Sequence, residues 1–204
     1  MITVLAGVNG AGKSSIGGSA LRAAGQEWYN PDALARQMQQ RFPEYAPQDI
    51  NSRVWKEGLR RLKDAIASNR NFTFETTLGG NSVTQTLLDA LAAGVSVRIW
   101  YCGLESVELH LERVAARARR GGHDIPEALI RKRYNSSMRN LCRLAPGLTE
   151  LAVYDNSAAL DAHRKPQLRW LLHAREKRLL RLDPDMPEWA RPVASVCMKH
   201  FTAD

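Results

Sequence analysis

Cys102, Cys142 and Cys197 are the only cysteines in the 204-residue sequence, and no two of them have the short spacing of a zinc or redox motif. This scarcity excludes a cysteine-based metal site and gives no basis for a disulfide framework. We therefore expect three reduced thiols that are mostly buried.

Long apolar runs are also missing, and none approaches the roughly 20 residues that a membrane-spanning helix needs. The apolar residues at the N-terminus lack the basic segment and the small-residue cleavage site of a secretory signal. The sequence therefore predicts no membrane contact and a cytoplasmic location. A hydrophobic fraction of 44% and a charged fraction of 25% are ordinary for a globular protein, and the length favours one domain spanning 1–204.

Acidic residues are outnumbered, with 21 Asp and Glu against 29 Lys and Arg, which gives a net charge of +8. This excess indicates an anionic partner. Nine of the basic residues lie in 113–143 and seven in 164–181. A solvated basic face explains either segment equally well until a specific anion is identified.

The hydrophobic pattern alternates between short apolar strands and amphipathic helices. It predicts strands at 2–6, 26–29, 71–77, 95–102 and 148–157, and helices at 13–23, 31–68 with a proline-containing break, 82–93, 106–120 and 126–144. This order is the signature of an α/β fold with a mostly parallel sheet flanked by helices. We expect a helical lid at about 106–144. In the appendage at about 160–204, a charged hairpin over 166–182 is favoured over a basic amphipathic helix, and a closing helix follows at 187–201.

The segment GVNGAGKS at residues 7–14 satisfies G-x-x-x-x-G-K-[ST], with a predicted strand before it and a predicted helix after it. Such a P-loop turns its backbone N–H groups toward phosphate oxygens, which requires glycine at positive-φ positions and at close approaches. Lys13 is expected to reach the β- and γ-phosphates, and the Ser14 hydroxyl to bind Mg²⁺. The predicted phosphate-binding residues are Gly7, Asn9, Gly10, Ala11, Gly12, Lys13, Ser14 and Ser15.

Other motifs that would narrow the class of nucleotide-binding protein are absent. The sequence has no N-K-x-D for guanine and no D-x-x-G switch, which argues against a GTPase. TLGGNS at 77–82 resembles a transporter-ATPase signature but lacks the serine that precedes it there. These absences make a small-molecule kinase the leading hypothesis.

A kinase needs an acceptor base and groups that stabilise the transferred phosphoryl group. Asp32 follows the predicted second strand, so its carboxylate is expected at the sheet edge where ligands bind; a helix N-terminal charge is its alternative role. Asn30 and Asp32 are candidate acceptor-binding residues. Glu75, with Thr76 or Thr77, is expected to order the metal's water shell or bind acceptor hydroxyls, and a polar strand end is the alternative.

The stretch ERVAARARRGGHDIPE at 112–127 is the predicted closing segment. Arg113, Arg117 and Arg120 share a helical face, which Arg119 extends toward two glycines. Guanidinium groups crowded on one face suit a phosphoryl group in transfer, although a solvated face is an alternative. Three further candidates are Arg133 on the next helix, His123 after the glycines, and Asp155, which is either a metal-shell carboxylate or part of an adenine-side loop.

Taken together, the N-terminal P-loop, the NPD segment at 30–32, FTFETT at 72–77, the lid HLERVAARARRGGHDIPE at 110–127 and YDNS at 154–157 resemble the zeta-toxin-like kinases, specifically their short P-loop ATPase branch. The resemblance covers residues 1 to about 157. It implies ATP- and Mg²⁺-dependent phosphorylation of a nucleotide-sugar, typically UDP-N-acetylglucosamine, on a hydroxyl. Asp32 then matches the acceptor-deprotonating aspartate, and Glu75 and Thr76 match the acceptor-side region.

The sequence departs from the toxic members in one motif, because no aromatic-histidine-proline stretch follows Asp32. It also contains no evident antitoxin segment, so an antitoxin partner would be a separate protein. The rival hypothesis is a nucleic-acid-associated P-loop ATPase, based on the net charge and on 164–181. Nucleic acid is the less favoured partner, since Trp170 alone supplies an aromatic ring inside that stretch.

Overall fold

The computed structural model describes residues 1–122, 125–162 and 166–203, and its centre is a single hydrogen-bonded sheet. The strands are β1 (Ile2–Ala6), β2 (Phe72–Thr76), β3 (Val97–Gly103), β4 (Glu150–Asp155), β5 (Arg169–Arg175), β6 (Arg178–Leu182) and β7 (Thr202–Ala203). Their order across the sheet is β2-β1-β3-β4-β5-β6-β7. The first four strands pair in parallel, β4, β5 and β6 pair antiparallel, and β7 pairs in parallel with β6.

Helices cover both faces of the parallel half of the sheet. They are α1 (Lys13–Ala23), α2 (Pro31–Arg41), α3 (Pro47–Ala67), α4 (Asn81–Ala92), α5 (Val107–Ala118), α6 (Glu127–Leu144) and α7 (Arg191–His200). The main core joins one face of β1 to β4 with α3, α4, α6 and α7, while α1 packs on the other face, where Gly17 lies against Leu5. The α/β architecture with a mostly parallel sheet is therefore confirmed.

Local signals account for the helix ends nearest the site. Asn30 is the N-cap of α2, where its side-chain oxygen accepts a hydrogen bond from Ala33 N at 3.0 Å and Pro31 occupies the first turn. At the end of α5, Gly121 has φ +80° and Gly122 N donates to Arg117 O at 3.0 Å. That pattern is a Schellman closure, so the predicted glycine stop is confirmed.

The C-terminal segment forms the predicted hairpin. Strands β5 and β6 are antiparallel, and the turn between them is made by Glu176 and Lys177, which both have positive φ. The closing helix begins later than expected, because a short 3₁₀ turn at Glu188–Ala190 precedes α7. Strand β7 was not predicted, and two residues carry too little pattern to reveal it.

The predicted strand at 26–29 is wrong. Only Tyr29 pairs with the sheet, through a bridge to Phe74, and residues 22–27 are exposed. The apolar residues suggested a strand, but the segment touches the outer edge of β2 only at Tyr29, whose N donates to Thr73 O and whose O accepts from Glu75 N. The assigned α5 also ends at Ala118, so Arg120 lies beyond it. Among the described residues, no helix is long and apolar enough to cross a bilayer.

Candidate active site

The glycine loop connects β1 to α1 and has the backbone that its sequence predicts. Gly7, Gly10 and Gly12 all have positive φ. A Cβ atom at Gly7 would overlap the carbonyl oxygen of Cys102, and one at Gly12 would lie 2.6 Å from Asn156 Nδ2. Both positions therefore require glycine for space as well as for conformation.

Side chains from distant elements hold the loop's carbonyl groups. Asn156, just after β4, donates from Nδ2 to Ala11 O at 3.0 Å, and the Cys102 thiol donates to the same oxygen. Burial raises the pKa of Cys102 to about 12, so this thiol stays protonated. All three cysteines are free thiols, as expected, and Cys102 and Cys197 are buried.

His110 is a site residue that the sequence analysis missed. Its side chain is 1% exposed beneath the loop, and its Nδ1 lies 2.7 Å from the carbonyl oxygen of Asn9. Because that oxygen only accepts, Nδ1 of the ring carries a proton. Burial, and to a lesser extent the charges of Lys13 and Arg113, lower the pKa of His110 to about 4. The sequence around His110 reads as an apolar helix face, and nothing in it indicates a hydrogen-bond partner 101 residues away.

Glu75, at the end of β2, contacts the residues predicted to bind phosphate and metal. The Ser14 hydroxyl lies 2.9 Å from both Glu75 oxygens, and Asn30 Nδ2 donates to Oε2 at 3.0 Å. Lys13 Nζ lies 3.8 Å from Oε1 and 3.3 Å from Val8 O. The carboxylate is 6% exposed. The structure thus brings Lys13, Ser14, Asn30 and Glu75 into one polar cluster.

Asp32 lies in the first turn of α2 and lines the same cleft as Asn9 and Glu75. Its side chain is 48% exposed, and its Oδ2 is 3.9 Å from Nη1 of Arg117 on α5. The carboxylate is therefore accessible to a ligand and close to one lid arginine.

The four predicted lid arginines separate in the structure. Arg117 faces Asp32, whereas Arg113 Nη2 donates to the carbonyl oxygens of Ser157 and Ala158, each at 3.4 Å. Arg119 and Arg120 are exposed beyond α5, and none of the four arginines is among the residues that line the cleft. Arg133 on α6 does line it, and its Nη1 donates to Asn9 Oδ1 at 2.7 Å. Burial lowers the pKa of Arg133, and the charge of Asp32 partly offsets this.

The loop after β2 forms one wall of the cleft and is held by α6. Ser137 Oγ donates to Thr77 O at 2.7 Å, Asn140 Nδ2 to Leu78 O at 2.8 Å, and Ser136 Oγ to Gly79 O at 2.9 Å. Leu78 adopts a left-handed φ of +54°, which costs energy for a branched residue unless its surroundings fix it. Thr76 uses its hydroxyl locally, as an acceptor from Leu78 N. These α6 residues were not predicted, because polar side chains inside a helix give no signal of a partner.

The remaining predicted features are Asp155, His123 and the basic segment at 164–181. Asp155 accepts hydrogen bonds from Ser157 N and Oγ, so it fixes the turn after β4. His123 lies outside the described residues, as do Arg164 and Lys165 of the basic segment. In the described part of that segment, Arg169 pairs with Asp183 and Arg181 lies over the Trp170 ring.

The glycine loop after β1, the parallel strand order and the helices that flank the sheet define a P-loop protein with a kinase-like α/β fold. Residues 2–144 match the family described as an AAA domain, and the chain belongs to this family. An uncharacterized protein of Haemophilus influenzae is 34% identical over 128 residues, which are 63% of this chain and 88% of that protein.

Solved structures share the fold at low sequence identity. A chain of the AvrRxo1-ORF1:AvrRxo1-ORF2 complex superposes with a TM-score of 0.67 at 14% identity, over 97% of this chain and 63% of that chain. The same complex solved with ATP gives a TM-score of 0.60 at 14% identity. The PezAT toxin-antitoxin system of Streptococcus pneumoniae gives 0.52 at 15% identity, over 98% of this chain and 78% of that chain. The P-loop kinase-like fold is therefore confirmed, and the zeta-toxin branch stays a prediction.

Proposed function

We propose that this protein transfers the γ-phosphoryl group of ATP to a hydroxyl group of a small molecule. The observation that carries the proposal is the position of Asp32: its exposed carboxylate lines the same cleft as P-loop residue Asn9, 3.9 Å from lid residue Arg117. A base beside the phosphate site and a guanidinium facing it are the parts that phosphoryl transfer to an alcohol needs.

The ATP phosphates would bind the glycine loop and the first turn of α1. The first amides of a helix have no partner within it, and they carry partial positive charge that favours an anion. Lys13 is within reach of the loop carbonyl of Val8 and would exchange that contact for phosphate oxygens. The glycines leave the backbone bare where the phosphates approach.

The residues present also fit Mg²⁺. Ser14 Oγ and the Glu75 carboxylate are hard oxygen donors 2.9 Å apart, which is the chemistry that Mg²⁺ prefers. Within the described residues no group of three or more His, Cys, Asp or Glu holds a metal alone, and Mg²⁺ at a triphosphate takes most of its ligands from phosphate and water. When bound, the ion supplies charge neutralisation at the β- and γ-oxygens.

In the proposed reaction Asp32 takes the proton of the acceptor hydroxyl as the oxygen attacks the γ-phosphorus. The new acceptor O–P bond forms while the bond between the γ-phosphorus and the β,γ-bridging oxygen breaks, and ADP leaves with that electron pair. Arg117 and Arg133 offer guanidinium groups to the charge on the transferred oxygens. The resemblance to zeta-toxin-like kinases supports a nucleotide-sugar such as UDP-N-acetylglucosamine as the acceptor, and a separate antitoxin as a partner.

Asp32→Asn tests the proposed reaction. Purified protein is incubated with labelled ATP, Mg²⁺ and either UDP-N-acetylglucosamine or a pool of bacterial metabolites, and the phosphorylated product is identified. We expect Asp32→Asn to lower product formation about 10²- to 10⁴-fold, the usual contribution of a general base. ATP binding should be unchanged, because the described contacts of Asp32 include no P-loop atom.

Asp49→Asn is the control. Asp49 is an exposed first-turn acid of the neighbouring proline-led helix α3, outside the cleft. If Asp32 served only as a helix N-terminal charge, both variants would lose similar small amounts of stability and no activity. Equal product formation by wild type and Asp32→Asn would show that Asp32 does not act as the base.

A further inference from the structure

The cleft that contains Asp32 is larger than the reacting groups require. It encloses about 980 Å³ between the first turn of α2, one face of α3, the loop after β2 and the start of α6. That volume lies at the upper end of the range for small-molecule sites. The occupant therefore has a sizeable portion beyond its reacting hydroxyl.

One helix face supplies an aromatic surface to this cleft. Ser52, Trp55, Leu59 and Leu62 recur every three or four residues along α3, so they lie on the same face, and all four line the cleft. Leu62 is fully buried at its inner end, whereas Trp55 is 48% exposed. An indole left half-exposed inside a cleft is a surface available for stacking, unlike an apolar side chain scattered on a convex face.

The charges around the cleft indicate which other chemical group the occupant carries besides a flat ring. Lys132 and Arg133 enter the lining from α6, and Arg117 lies 3.9 Å from Asp32. The acidic side chains in the lining are Asp32 and Glu75, and Glu75 is already engaged with Ser14, Asn30 and Lys13. In the proposed reaction Arg117 and Arg133 serve the transferred phosphoryl group, which leaves Lys132, among the described lining residues, available to an anionic group of the occupant.

We propose that Trp55 is a specificity residue that stacks on a planar heteroaromatic ring of the acceptor, and that the acceptor carries a phosphate group. The inference rests on the proposed function and deepens it, because it assigns recognition of the acceptor's ring to one residue of the cleft, Trp55. Sugars or polyols without a ring system would lose the Trp55 contact. Trp55 was not a predicted site residue.

Uridine monophosphate and ribose 5-phosphate test the proposal as a matched pair of probes, since they share the pentose and phosphate and differ in the base. Their dissociation constants are measured by calorimetry on protein saturated with Mg²⁺ and a nonhydrolysable ATP analogue, which keeps the probes out of the P-loop. We expect uridine monophosphate to bind at least about fivefold more tightly than ribose 5-phosphate, the lower end of base-aromatic stacking. Trp55→Ala should remove this difference, and Trp55→Phe should keep most of it.

Tyr45→Ala is the control variant. Tyr45 is 45% exposed on the loop before α3 and is not among the residues that line the cleft, so both affinities should stay at the wild-type value. Thermal unfolding confirms that each variant is folded.

Equal affinities for the two probes in the wild type overturn the proposal. So does a Trp55→Ala variant that keeps the difference or weakens both probes equally, because either result shows that Trp55 does not distinguish the base. Product formation by wild type in the labelled-ATP assay together with either result leaves the kinase function standing. Conversely, Trp55-dependent binding without any phosphoryl transfer rejects the kinase function.

Discussion

Replacing Glu75 by glutamine tests whether the polar cluster at the P-loop is a metal-dependent phosphate site. Gln preserves size and one carbonyl oxygen but removes the charge beside buried Lys13, 3.8 Å away. It also faces three donors, Ser14, Asn30 and Trp28, with an amide group that accepts through one oxygen only. The substitution therefore separates the charge of Glu75 from its volume.

The expected loss of stability can be estimated from these contacts. Removing one partner of a buried ion pair costs about 3 to 5 kcal/mol when the pair is hydrogen-bonded. The 3.8 Å separation exceeds a hydrogen bond, and Lys13 keeps its contact with Val8 O, so we expect about 2 kcal/mol. For a chain of this size that shift lowers Tm by about 4 to 8 °C.

The expected loss of function is specific to Mg²⁺. Removing a group that orients a metal ligand typically weakens metal affinity about 10- to 100-fold. We expect Mg²⁺ to strengthen ATP binding in the wild type, and Glu75→Gln to lose most of that gain while its Mg²⁺-free affinity for ATP stays the same or rises. The assay is calorimetric titration of ATP with Mg²⁺ and with EDTA.

A double-mutant cycle with Ser14→Ala strengthens the test. Because Ser14 Oγ contacts both Glu75 oxygens, the two substitutions should not be additive, with a coupling of about 0.5 to 3 kcal/mol. An unchanged Tm together with an unchanged Mg²⁺ dependence in Glu75→Gln would refute the assignment of this cluster to the metal site.

Two further predictions concern the loop and its support. Gly7→Ala should destabilise the protein by about 3 kcal/mol or more and abolish ATP binding, because its Cβ would overlap Cys102 O at φ +138°. The control Gly25→Ala, at φ +66° with open space around it, should cost only about 1 kcal/mol. Equal losses of Tm in the two variants would contradict this. His110 binds fewer protons folded, with a pKa of about 4, than unfolded near 6.5, so wild-type stability should fall by about 2 kcal/mol more than that of His110→Asn between pH 7 and pH 4.5 in urea unfolding. Parallel pH dependences in the two proteins would show that His110 does not titrate as proposed.

The parts of the site that were predicted from the sequence are those coded within a few residues. The glycine loop needs positive φ at fixed spacings, and Asn30 and Pro31 mark a helix start, so their geometry follows from local chemistry. The hairpin was also predicted, and its charged residues at 175–178 stand between two apolar stretches. The single bridge at Tyr29 was wrongly predicted to be a strand. Apolar residues at a sheet edge have the composition of a strand even where too few of them pair to form one.

The unpredicted parts depend on contacts between residues far apart in the chain. His110 reaches Asn9 across 101 residues, and Asn156 reaches Ala11 across 145. No pattern in a single sequence pairs such residues, because each has an ordinary local role as a helix or loop residue. The predicted lid arginines show that a local pattern can also mislead. Helical spacing grouped Arg113 with Arg117, but their guanidinium groups extend to different partners.

The long-range contacts explain the shape of the glycine loop. Carbonyl groups of Val8, Asn9 and Ala11 are engaged by side chains from α1, α5 and the end of β4. The first amides of α1 have no partner within the helix and are available to an anion, as the first amides of any helix are. We expect ATP to meet a loop whose shape these contacts already hold, and Lys13 to leave Val8 O for phosphate oxygens. We therefore expect the affinity for the triphosphate to depend on His110 and Asn156 as well as on the loop itself.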